Sequence, residues 1–182
     1  MALCDFLIST DITGYDCSNP MVKGAKADGL LINRSDINIA SVAYDSNDPF
    51  LVTALPLKSG KVSYDIVQGG KTPYTGTQQE IVEGTYQNTF TNTVQFVILN
   101  QTPTTAGQVF ALMNGEFVVV LKNNNGTNQV FGLENGLHAS AMVRELYNDD
   151  TLSGWLITMT EEGAIKGNLF ISDTLYNTLK GS

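Results

Sequence analysis

A single histidine, a single tryptophan and two cysteines are scattered through 182 residues, and only 15 % of the chain is charged. Each scarcity excludes something. With His138 as the lone imidazole, flanked by Leu137 and Ala139, a Ser-His-Asp or Cys-His site has one position to recruit from, and that position reads as a partly buried or interface side chain. Cys4 and Cys17 lie outside C-x-x-C or zinc-ligand spacing and read as buried free thiols. No window approaches the roughly 18 consecutive apolar residues of a membrane span. The start, MALCDFLIST, has no basic region, and Asp5 interrupts its apolar run, so no signal peptide is expected and synthesis in a cytoplasm is. Basic residues are few, 10 against 18 acids, for a net charge of −8, which disfavours a nucleic-acid reader with a basic face. An acidic protein can still sit beside DNA where its task is to let the phosphates slide past, because like charge prevents adhesion.

What is present is β-branched sequence broken by turn residues. From Met1 to about Ser35 the glycines and prolines are too closely spaced for long elements, and this segment is expected to be an extended arm. Residues 36–182 are expected to form one mainly β domain, a β-sandwich or open barrel with a short flanking helix. The expected strands are Ile39–Tyr44, Leu51–Leu55, Val62–Val67, Gln79–Thr85, Thr93–Leu99, Glu116–Lys122, Gln129–Leu133, Leu137–Arg144, Gly154–Thr160 and Asn168–Ile171. In TPTTAGQVFALMNG, Thr102 can cap, Pro103 suits the first helical position, and Val109, Leu112 and Met113 recur at helical spacing before Asn114-Gly115 ends the run. A C-terminal helical turn is expected from Asp173 to about Leu179. The stretch VVVLKNNNGTNQVFGLENGLHASAMV, residues 118 to 143, places Asn-Gly where successive apolar runs must reverse, and reads as a three-stranded meander with an architectural role.

Chemistry is hard to find. Asp149-Asp150 adjoin each other without a third oxygen ligand at calcium-loop spacing and read as a polar turn. Glu161-Glu162-Gly163 reads as a solvated hairpin end. Gly69-Gly70-Lys71-Thr72 echoes a phosphate loop, but Asp65 stands where the earlier glycine is required and Pro73 prevents a following helix. Asn33-Arg34-Ser35 and Asn125-Gly126-Thr127 match the glycosylation triplet by chance. The sequence therefore implies no catalytic, cofactor-binding or metal-binding residues, no cofactor, and not an enzyme. Trp155, Tyr147 and Tyr74 keep one binding alternative open, an aromatic platform for a glycan, although Trp155, Ile157 and Met159 alternate as core residues of a strand.

The order helix, then GEFVVVLKNNNGTNQVFGLENGLHASAMVRE, then NDDTLSGWLITMTEEG resembles the tail tube proteins of tailed bacteriophages and, more broadly, phage virion ring proteins. The matching positions are Gly132, Gly136 and Leu137, then Gly154, Trp155, Ile157, Thr158, Thr160, Glu161 and Glu162, within roughly Pro103 to Gly163, about a third of the chain. The resemblance implies a structural virion protein, made in a bacterial host, that assembles with copies of itself into a ring, commonly sixfold. It implies that the sheets of the ring join into an inner β-barrel, that rings stack on one another and on other virion proteins, and that DNA passes through the lumen without specific binding and no membrane is involved. A non-catalytic glycan- or host-surface-binding decoration or fibre module is the alternative.

Overall fold

A computed structural model describes residues 25–68, 74–98, 102–123, 126–145, 154–167 and 169–181. The fold is mainly β, with two sheets facing each other and two helices. The strands are β1 (Ala25–Asn33), β2 (Ala43–Tyr44), β3 (Leu51–Ala54), β4 (Tyr64–Val67), β5 (Gln78–Val82), β6 (Thr89–Ile98), β7 (Phe117–Asn123), β8 (Asn128–Phe131), β9 (His138–Glu145), β10 (Gly154–Ala164) and β11 (Leu169–Ile171). One sheet runs β2-β3-β11-β8-β7-β1-β4 and the other β5-β6-β10-β9, and neither closes into a barrel.

The seven-stranded sheet is the middle layer, and its central strand shows why. In β7 the consecutive residues Val118, Val119, Val120 and Leu121 are all buried, as expected of a strand covered on both faces. Val118 and Val120 join Leu30, Ile32, Val52, Val130, Ile171, Tyr176 and Leu179 in one core, beneath helix α2 (Asp173–Lys180). Val119 and Leu121 join Val94, Phe96, Ile157 and Met159 of the second sheet, and Val109 and Leu112 of helix α1 (Pro103–Asn114), in the other. Both helices start on side-chain caps: Thr102 Oγ1 accepts from Thr105 N–H at 3.2 Å, and Ser172 Oγ from Leu175 N–H at 3.2 Å.

Four expectations need correction. The irregular segment does not extend to Ser35: residues 25–33 are β1, paired with β4 on one side and β7 on the other, with Leu30 and Ile32 fully buried. The domain therefore begins before residue 36, and residues 1–24, with Cys4 and Cys17, lie outside the described residues. Glycine spacing misled there because Gly29 is required by packing; a Cβ at this position would stand 2.6 Å from Tyr74 Oη and 3.0 Å from Leu121 Cδ2.

The strand expected at Ile39–Tyr44 shrinks to Ala43–Tyr44, because Ile39–Ser41 forms a 3-10 turn. Asn38 Nδ2 donates to Ser41 Oγ at 2.8 Å, giving the backbone a local alternative to the ladder. The meander is also only a hairpin. β7 and β8 pair antiparallel, and Gly126 has the positive φ expected of its turn, but the loop after β8 carries the chain across to the other sheet, where β9 pairs with β10. Finally, Glu161-Glu162-Gly163 is no hairpin end, since β10 continues to Ala164 through an irregularity after Glu161.

Candidate functional site

The two longest strands, β6 and β10, pair in the middle of the four-stranded sheet and alternate strictly. Asn92, Val94 and Phe96 of β6, and Ile157, Met159 and Glu161 of β10, are buried against the second core. The alternate residues Thr91, Thr93, Gln95, Val97, Leu156, Thr158 and Thr160 consequently occupy the outer face. Cross-strand register places Thr93 beside Thr160 and Gln95 beside Thr158, and Gln95 Nε2 donates to Thr158 Oγ1 at 3.1 Å. β5 extends this face with Gln78, Glu80 and Val82, opposite Thr93, Thr91 and Thr89, and β9 with His138, Ala141 and Val143, opposite Thr160, Thr158 and Leu156. The outer face of this sheet thus carries threonine, glutamine, apolar residues and His138, with Glu80 on β5 and no lysine or arginine among its described residues.

The described bases lie elsewhere, and most are engaged. Lys61 pairs with Asp36 at 3.1 Å, Lys122 with Asp173 at 2.7 Å and Arg34 with Glu116 at 3.5 Å. Lys180 sits 3.8 Å from Asp28 and 4.0 Å from Asp65. Arg144 lies over the Trp155 ring on the core side of the sheet, and Lys166 over Tyr44. The Asn33 amide and the Lys61 ammonium hold the Asp36 carboxyl below its ordinary range, against the opposing effect of burial.

Two buried polar side chains fasten this sheet to its neighbour. Glu161, only 2 % exposed, accepts from Asn92 Nδ2 at 2.8 Å and from the backbone N–H groups of Gly132 and Asn135, both at 2.9 Å. The last two belong to the loop that links β8 to β9, so one carboxylate ties the crossing loop to β6 and β10. At the other end, the amide of Gln68, just after β4, makes both bonds of a missing strand residue: Val97 N–H donates to Gln68 Oε1 at 2.8 Å and Gln68 Nε2 donates to Val97 O at 3.0 Å. Sequence reasoning missed both. A signal existed for Glu161, because the alternation Trp155, Ile157, Met159 reaches it in one more step of two.

The residues weighed for chemistry do not converge. His138 is exposed on β9, contrary to the partly buried reading, because the outer face of that edge strand is open. Tyr74 is 5 % exposed and its hydroxyl donates to Ile66 O at 2.9 Å, so it presents no platform; burial pushes its phenol pKa well up. Trp155 is half-buried beneath Arg144. Glu162 is exposed. Arg34 of the chance triplet donates to Glu134 O at 2.6 Å. Gly69-Gly70-Lys71-Thr72, Asn125, Tyr147 and Asp149-Asp150 lie outside the described residues. Among the described residues no group of three or more His, Cys, Asp or Glu side chains could hold a metal ion, and no helix is long and apolar enough to cross a membrane.

No protein-family model, curated protein or solved structure matches this chain.

Proposed function

We propose that this chain is a structural subunit that assembles into closed rings of the tail tube or virion ring type, around a channel through which DNA passes. The observation that carries this reading is the four-stranded sheet: it is open at both edges, antiparallel throughout, and bears an uncharged-to-acidic outer face. Neither β5 nor β9 has a strand on its outer side among the described residues. The four strands alternate in direction, so β5 and β9 run opposite to one another. Rotating one copy to bring its β5 beside the β9 of the next continues the alternation without a parallel junction. Exposed edges of this kind are liabilities in a monomer and are satisfied when each edge pairs with the next copy.

The outer face of such a joined sheet would line the channel. Hydroxyls and amides can hydrogen-bond to water and ions there, and a face without cations offers phosphates no counterion-releasing contact. The tail tube resemblance and the net charge of −8 support the same reading. The glycan-binding alternative finds nothing to favour it at Tyr74 or Trp155.

Light scattering of the purified full chain together with negative-stain microscopy tests the proposal. Rings or stacked tubes with a central hole are the expected result. A chain that stays monomeric at all accessible concentrations overturns it.

A further inference from the structure

Helix α1 keeps one flank uncovered among the described residues. Thr105, Val109 and Leu112 are its buried residues, and they seat it over β9. At about 100° per residue, Gln108 and Ala111 fall on one side of that buried line, and Ala106, Phe110 and Met113 on the other. Gln108 and Ala111 line a groove shared with the end of β6 and with β4, so that side of the helix faces the middle of the molecule. The opposite flank faces outward past β9, the edge strand, and there Phe110 is 67 % and Met113 56 % exposed.

The other edge of the same sheet carries the counterpart. Gln79 of β5 donates to Asn92 Oδ1, a buried group on the core side of β6, at 2.7 Å. Gln79 and Ile81, two residues apart, therefore point to the core side, and Ile81 is 67 % exposed. Ile81 and helix α1 thus lie on the same side of the sheet, at its opposite edges. When β5 of one copy is placed against β9 of the next, the sheet continues and Ile81 arrives beside the uncovered flank of the neighbour's α1.

We infer that α1 is the seat for the neighbouring subunit: Ile81 of one copy packs against Met113 and Phe110 of the next, in a head-to-tail contact that repeats around the ring. The inference rests on the ring reading above and specifies its interface. Charge favours the match. α1 has no charged residue, whereas β5 and the turn after it carry Glu80 and Glu83 and no base. Glu80 lies on the outer face, away from α1, so Ile81 reaches the neighbour's uncharged helix without bringing the strand's acid against it. Heterologous contacts between two unlike patches of one chain generate rings when the rotation closes.

Cross-linking between separately made variants tests the seat. Ile81→Cys and Met113→Cys are each introduced into full-length chain carrying Cys4→Ser and Cys17→Ser, with Phe110→Cys as a second partner for Ile81→Cys. All three sites are exposed, and melting curves verify that each variant folds. The variants are mixed under mild oxidation and read on a non-reducing gel, while the cysteine-free parent is examined by light scattering and microscopy. A disulfide-linked dimer that forms in the mixtures and in neither variant alone is the expected result. Rings in the parent without cross-links in either mixture overturn the seat and leave the ring standing. Cross-links with open chains and no closed ring support the seat and overturn closure. A monomeric parent without cross-links overturns both.

Discussion

Glu161 shows how much one side chain can hold in this fold. Its two oxygens satisfy three donors, one from β6 and two from the loop that links β8 to β9, and no base among the described residues pairs with it. Replacement by alanine strands the buried Gly132 N–H and Asn92 amide, each costing about 1–3 kcal/mol, while the N–H of exposed Asn135 is left to water. Glu161→Ala is therefore expected to lower stability by about 3 kcal/mol or more and Tm by roughly 5–10 °C. Glu161→Gln keeps the shape and one acceptor oxygen, so its loss in a thermal melt should be clearly smaller; equal losses would mean that volume, not hydrogen bonding, is what the site needs. Tyr176 gives the opposite case. Its ring is buried in the core beneath α2, and its hydroxyl has no hydrogen-bond partner among the described residues, while burial and the nearby Asp28 and Asp65 push its pKa up to about 12. Tyr176→Phe removes an unpaired polar atom and keeps the ring, so stability is expected to stay unchanged or rise by up to about 1 kcal/mol. A clear drop in the denaturant midpoint would reveal a bond that this geometry lacks.

At the scale of elements, the turns around β8 separate two uses of glycine. Gly126, in the β7–β8 turn, has φ +88°, and a Cβ there would meet nothing within 4 Å. Gly132, where the chain leaves the large sheet, has φ +83°, and a Cβ would stand 2.5 Å from Phe117 O and 2.9 Å from Leu137 N. Gly126→Ala should cost only the left-handed strain, about 1 kcal/mol. Gly132→Ala adds a backbone clash that no side-chain rotation relieves, so it should be the more damaging by at least as much again; equal melting temperatures for the two variants would refute this account. The same pair shows what was legible in the sequence. Asn-Gly turn chemistry and β-branched runs located β3, β4, β5, β7, β8 and β9 because hairpins and strands follow local rules. Thr102 and Pro103 likewise marked the start of α1. Local rules do not state which sheet a strand joins, and so β9 read as the third strand of a meander, when a loop pinned by Glu161 carries it across. β1 was hidden for a similar reason: Gly29 looks like a breaker in sequence and is a packing necessity beneath Tyr74. The outer face of the small sheet was half legible, in that the missing strand-borne lysines were visible, whereas the alignment of Thr91, Thr93, Thr158 and Thr160 on one surface depends on register across 65 or more residues.

For the whole molecule, the decisive quantity is where the positive charge sits. Tight binding to double-stranded DNA requires several lysine or arginine contacts, each releasing counterions from the phosphates. The described bases do not form such a surface: Lys61, Lys122 and Lys180 are paired with carboxylates, Arg34 with Glu116, Lys58 donates to Ser35 O, Lys26 stands near the Asp173 carboxylate, and Arg144 and Lys166 lie on aromatic rings. The broad sheet face proposed to line the channel carries none, and the chain as a whole repels phosphate with a net charge of −8. Assembly multiplies that charge around the lumen without creating a cationic stripe. The purified protein is therefore expected to show negligible affinity for double-stranded DNA near physiological salt, whether monomeric or assembled. Converting the face should change this. Thr93→Lys with Thr160→Lys places two cations side by side in cross-strand register at half-buried positions on the outer face of the sheet, the side away from the second core. In an assembled ring the pair would repeat with every subunit, so salt-dependent retention of DNA should appear in the assembled double variant and remain weak in its monomer. A gel shift by the unmodified protein at micromolar concentration, or none by the assembled double variant, would mean that this face does not line the channel.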